Sequence, residues 1–155
     1  MKRDSMKYSE KISNRLNNLL EKTYDAEKGF KLAQDKIDNA TAKKFLNDRA
    51  EQRAQFGHEL KQDILQYGEL PEHNGSIKGD LHRAWMDLKS AVASNEEERL
   101  MEEVERGERA SLEEYNEIIN DKDMVLPPST ESMLKRHRDA IESSLTVANI
   151  HERMA

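Results

Sequence analysis

The chain has 155 residues, of which 35% are hydrophobic and 36% are charged, and its formal net charge is −6. Acidic and basic residues are mixed along the sequence, so there is no basic stripe that would bind nucleic acid or an anionic membrane surface. No cysteine occurs, which excludes disulfides and thiolate chemistry, and no apolar stretch approaches the ~18 residues of a membrane-spanning helix.

The first half of the chain predicts two long amphipathic helices, over residues 8–38 and 40–68. In the first of them the stripe residues recur in alternating steps of four and three, which is the spacing of one face of an α-helix, and the second has an apolar stripe of its own. Asn39 can end the first helix and cap the second, and Gly68 ends the second helix. Because the connection is so short, we expect these two helices to form an antiparallel hairpin.

The second half predicts three further helices. A run of turn-forming residues is followed by a short amphipathic crossover helix over 77–93. Ser94 and Glu97 have the spacing of a capping box at the start of a helix over 95–120. Two prolines then precede the last helix, over 129–152.

The order of these elements is a hairpin, a crossover that carries its own helix, and a second hairpin. A long connection between two hairpins is typical of ferritin-like bundles. We therefore expect residues 1–155 to form a single all-α domain. Its predicted architecture is an antiparallel four-helix bundle, ferritin-like, with an extra short helix between helices two and three.

Charged or ionisable residues interrupt the apolar stripe near the middle of each long helix. Two carboxylates facing two guanidiniums form a neutral set that can pair inside the bundle. We therefore predict a polar-core network, and no catalytic residue, at these positions: Glu27, Arg53, Glu108, His137 and Arg138.

A metal site is the alternative interpretation of the same stripe. Ferritin-like di-iron sites take Glu-x-x-His motifs from two helices, but here Ala54 and Leu134 stand where those histidines would be. Arginines at the inward positions also repel a divalent cation. We prefer no metal and no cofactor. The alternative is weak binding of iron, manganese or zinc by Glu27, Glu105, Glu108 and His137, with a residual di-metal oxidase activity.

Four segments resemble a known family. They are Asp25 to Phe30, Gln52 to Phe56, Gly79 to Trp85 and Glu105 to Glu108. They look like the bacterial ferritin-like family called domain of unknown function 2383. The resemblance implies a four-helix bundle of bacterial and cytoplasmic origin, and it brings no established reaction or catalytic residues.

Taken together, these features favour a non-enzymatic helical-bundle protein with a structural or partner-binding role. The partner is either a second copy of the chain or another protein, and the sequence does not choose between them. We expect no binding to nucleic acid or to a membrane. A stress-associated role follows only by analogy with related ferritin-like families.

Overall fold

The computed structural model of the protein describes residues 2–71, 87 and 97–154, and side chains over 8–71, 87 and 97–146. In that part of the chain the structure is all-helical. The four helices are α1 (Lys2–Lys36), α2 (Ala40–Gln66), α3 (Glu97–Ile119) and α4 (Pro128–Met154). They pack as a bundle, which confirms the all-α prediction in its coarse form. The predicted crossover helix over 77–93 lies, apart from Asp87, outside the described residues.

The ends of α2 show why the chain turns where it does. The Asn39 side chain accepts hydrogen bonds from the backbone N–H groups of Thr41 and Ala42, at 3.0 and 3.1 Å. These bonds satisfy two of the donors that a helix N-terminus leaves free. At the other end, Gly68 adopts a φ of 76°, which a side chain with a Cβ rarely adopts. Its N–H donates to the carbonyl of Leu65 at 3.0 Å, which closes the helix.

The segment between α3 and α4 is held to the start of α1. The hydroxyl of Tyr8 donates to the carbonyl of Val125, and Arg15 forms an ion pair with Asp121. The Asp121 carboxylate also accepts a hydrogen bond from the backbone N–H of Asp123 at 2.8 Å. Pro128 begins α4, a position where its missing N–H costs no helical hydrogen bond.

Two apolar clusters fill the bundle, and they meet at one polar level. On α2, Arg53 separates cluster members between residues 42 and 50 from members between residues 56 and 64. Glu108 on α3 and Thr23 on α1 lie between the members of the two clusters in the same way. All three polar residues are buried. The fold therefore concentrates its inward polar groups at the junction of two apolar layers.

No helix in the described ranges combines the length and the apolar character needed to cross a membrane.

Candidate polar-core site

The centre of the polar level is an ion pair between Arg53 on α2 and Glu108 on α3. Arg53 Nη2 donates to Glu108 Oε1, and the two side chains are 2% and 0% exposed. Ser144 on α4 donates its hydroxyl to the second carboxylate oxygen, Oε2, at 2.6 Å. Each Glu108 oxygen therefore has a donor inside the protein, which offsets the cost of burying the charge.

Two aromatic rings, one on α1 and one on α2, lie near the Arg53 guanidinium. Its central carbon lies 5.5 Å from the centre of the Phe30 ring and 5.6 Å from that of the Phe56 ring. Both distances suit an attraction between a cation and the negative face of a ring. Arg53 Nη1 donates to the Gln52 side-chain oxygen at 3.0 Å. The guanidinium is thus positioned by apolar faces as well as by its carboxylate partner.

A second chain of hydrogen bonds leads from the core to the surface through His137. The hydroxyl of Tyr115 lies 2.9 Å from His137 Nδ1, and His137 Nε2 lies 3.3 Å from Glu59 Oε1. Because an ionised carboxylate can only accept, Nε2 carries the proton and donates to Glu59. Nδ1 then accepts from Tyr115. Arg136 donates to the other Glu59 oxygen at 2.7 Å, so the chain ends in a partly exposed ion pair.

Packing around His137 keeps its ring neutral. The ring stacks on Phe56 with centroids 3.8 Å apart and an angle of 13° between the planes, and Tyr115 meets it edge-on. Burial lowers the pKa of His137 to about 4, against the opposing effect of the Glu59 carboxylate. Burial likewise raises the pKa of Tyr115. At neutral pH the pair is therefore a phenol donating to an uncharged imidazole.

A further buried carboxylate lies near the start of α4. Thr130 donates its hydroxyl to Asp63 Oδ2 at 2.7 Å, and Tyr67 donates to the same threonine oxygen at 2.6 Å. Burial raises the pKa of Asp63, and the hydrogen bond from Thr130 partly offsets that rise. Tyr67, Thr130 and Asp63 thus form a directed chain between the end of α2 and the first turn of α4.

The alternative metal ligands do not meet in one cluster. Glu108 is bound by Arg53 and Ser144, and Glu105 by Arg109. Glu27 is bound by Lys31, and His137 bonds to Tyr115 and Glu59. Among the described residues, no three His, Asp or Glu side chains are arranged to hold a metal ion.

A comparison with known protein families shows to which family the chain is related. The model of the family described as Domain of unknown function (DUF2383) matches residues 11–121, which is most of the chain. The chain belongs to this family. No curated protein and no solved structure matches it. The DUF2383 match includes Arg53 and Glu108, whereas His137 and Ser144 lie beyond its last residue.

The structure brings some of the predicted polar residues together and leaves others apart. Within this DUF2383 protein, Arg53 and Glu108 form the buried pair, and His137 lies in the neighbouring hydrogen-bonded chain. Glu27 instead pairs with Lys31 one turn further along α1, at 2.7 Å. Arg138 pairs with the adjacent Asp139 at 3.1 Å, and a quarter of its side chain is exposed.

The geometry of a helix explains the position of Arg138. Adjacent residues are about 100° apart around the axis, so when His137 points into the core Arg138 points to its edge. The ion pairs of Arg138 and Glu27 lie outside the Arg53–Glu108 pair. In the structure, the hydroxyl of Ser144 serves Glu108.

Three participants were missing from the prediction: Glu59, Tyr115 and Ser144. Tyr115 is seven residues after Glu108, and Ser144 is seven residues after His137. Seven residues are two helical turns, so each pair shares a face. That spacing was available in the sequence. The contribution of Glu59 was not, because its side chain reaches His137 and Arg136 from another helix.

Proposed function

We propose that this DUF2383 protein is a non-enzymatic helical-bundle protein with a structural or partner-binding role. One observation carries the proposal: both oxygens of the buried Glu108 carboxylate are bound, by Arg53 and by Ser144. A carboxylate with such partners is a poor ligand, because a cation would have to displace an arginine that never deprotonates. The inward charges then serve to join helices.

A ferritin-like, antiparallel arrangement of the four helices is part of this proposal. Two sets of contacts support it. On α1, Arg15 contacts Asp121 and the later residue Lys22 contacts the earlier residue Glu114. The two segments therefore run in opposite directions. The contacts between α3 and α4 also run in opposite directions along the chain, because Tyr115 contacts His137 whereas the earlier Glu108 contacts the later Ser144. A crossover helix over 77–93 belongs to the same expectation.

The cellular setting in the proposal rests on the family resemblance and on analogy alone. Ferritin-like families of bacteria suggest a cytoplasmic, stress-associated protein, with a second copy or another protein as its partner. Self-association would show as a mass that rises with concentration in sedimentation experiments. A monomer at all concentrations would leave a foreign protein as the partner.

Metal content and iron oxidation test the non-enzymatic role. The protein is purified without a chelator, its metals are measured, and its rate of Fe(II) oxidation is compared with that of Glu108→Gln. We expect substoichiometric metal and equal rates. The control is Glu113→Gln, which makes the same change at an exposed position of α3. Near-stoichiometric iron or manganese that is lost in Glu108→Gln and kept in Glu113→Gln would overturn the proposal.

A further inference from the structure

Ion pairs are distributed unevenly between the helices. We call α1 with α2 the first helix pair, and α3 with α4 the second. Among the described residues, each ion pair that joins two of the four helices connects the first helix pair to the second. They are Lys22–Glu114, Arg53–Glu108, Glu59–Arg136 and Glu59–His137, and Arg15–Asp121 adds a link just after α3.

Contacts inside each helix pair are of a different kind. The helices of a pair pack against each other much more extensively than against the other pair. In the first pair the packing is close: a Cβ at Gly57 would lie 3.3 Å from the Tyr24 ring and 3.8 Å from Leu20. Over the described side chains no ion pair joins α1 to α2 or α3 to α4. Protonation of the ion pairs between helices therefore acts on the boundary between the pairs.

His137 lies on that boundary and has charged groups on several sides. From α2 it faces Glu59 and Arg53, and from α3 it faces Tyr115, with Glu108 next to Arg53. Its sequence neighbour Arg136 shares the Glu59 carboxylate. An added proton on His137 would put a buried cation beside two arginines, with the partly exposed Glu59 as the carboxylate it contacts.

We propose that the boundary between the two helix pairs is an acid-sensitive seam, at which the bundle opens into two intact helix pairs. Opening moves His137 from the core into water and separates Glu59 and Glu108 from their partners. Each pair keeps the packing between its own two helices, while the apolar clusters that the two pairs share become exposed. The device therefore couples proton uptake at the seam to exposure of the faces that the two pairs bury against each other.

The direction of the effect follows from the proton affinities of the two forms. In the closed form the pKa of His137 is about 4, whereas an exposed histidine titrates near its ordinary value of 6.5. Between these values the open form binds one more proton than the closed form. Each fall of one pH unit therefore shifts the equilibrium tenfold toward the open form, or roughly 300-fold over the whole interval. Asp63 opposes opening as the pH falls. Burial raises its pKa, so the closed form binds the Asp63 proton more tightly than the open form does.

Distances between spin labels can separate opening from unfolding. The chain has no cysteine, so pairs of introduced cysteines are labelled only where intended. The pair Gln62→Cys with Ser132→Cys spans the seam, Asn18→Cys with Gln62→Cys lies within the first helix pair, and Glu117→Cys with Ser132→Cys lies within the second. All four positions are exposed and carry no group of the seam.

We expect acidification from about pH 7 to about pH 4 to lengthen the distance across the seam while both distances within the pairs stay unchanged. A simultaneous broadening of all three distributions would mean global unfolding and would contradict the proposal. So would three distances that do not change.

A histidine substitution identifies the group that senses the proton. In His137→Gln the tenfold dependence per pH unit should disappear, whereas His58→Gln, at an exposed position of α2, should retain it. If His137→Gln keeps the full pH dependence of opening, His137 is not the group that senses the proton. If that variant is already open at neutral pH, the three distances with His137 in place still decide whether a seam exists.

Discussion

The guanidinium of Arg53 and the carboxylate of Glu108 join α2 to α3 at the level where the two apolar clusters meet. Because both side chains are buried, the pair acts as a unit. Each charge is tolerable only while the other is present. This dependence gives the site a measurable signature in stability.

Removing one member of the pair should be far more damaging than removing both. We expect Glu108→Ala to lower the free energy of unfolding by about 3–5 kcal/mol, because Arg53 is left buried without its partner. Arg53→Met combined with Glu108→Leu should recover most of that loss, since apolar groups of similar size need no partner.

Urea denaturation followed by circular dichroism measures both variants. Glu113→Ala, at an exposed position of α3, is the control and should change stability little. A Glu108→Ala variant as stable as this control would show that the pair contributes nothing.

The hydroxyl of Thr130 should matter much more than that of an exposed threonine on the same helix. In Thr130→Val, Asp63 loses a donor and Tyr67 loses an acceptor, so we expect a cost of about 1–3 kcal/mol. Thr146→Val makes the same exchange at an exposed position of α4. Chemical denaturation of the two variants side by side is the measurement, and equal stabilities would show that the Thr130 bonds are energetically unimportant.

Asp63 should make stability depend on pH in the direction opposite to a salt-bridged carboxylate. Because burial raises its pKa, the folded state holds the Asp63 proton more tightly than the unfolded state does. Its contribution is complete below the unfolded pKa and is lost as the pH rises through the folded value. Asp63→Asn imitates the protonated form, so its stability relative to the unsubstituted protein should increase with pH.

Unfolding free energies of both proteins across the acid range test this slope. Asp48→Asn, a change on the same helix at a partly exposed ion pair, is the control that should show no such increase. A flat difference between Asp63→Asn and the unsubstituted protein would mean that burial does not raise the pKa of Asp63.

The end of α2 should require the backbone freedom of glycine. Gly68 has a positive φ and no heavy atom within 4 Å of an added Cβ, so any cost of substitution comes from the backbone and not from a clash. We expect Gly68→Ala to cost about 1 kcal/mol. Gly68→Asn should cost less, because asparagine tolerates this conformation better. Thermal melts of the two variants provide the comparison, and equal losses would point to a different cause.

Local signals in the sequence were enough to predict that the described part of the chain is all-helical. The three- and four-residue steps predict long helices, Asn39 caps one, and Gly68 ends another, because these effects depend on neighbours in the chain. The same stripes identified Arg53, Glu108 and His137 as inward-facing polar residues, since a position on the apolar face of a helix can be read from spacing.

Only the tertiary structure decided which of these residues bond to one another. Pairing depends on the rotation and axial shift of each helix against its neighbours, and a difference of about 100° exchanges His137 for Arg138. The Arg53–Glu108 pair is therefore joined by Ser144, with His137 in a separate chain to Tyr115 and Glu59, while Glu27 bonds on its own helix. The sequence by itself determined that the bundle would have a polar level at its centre. The packing of the helices determined its partners, and placed its ion pairs between the two helix pairs.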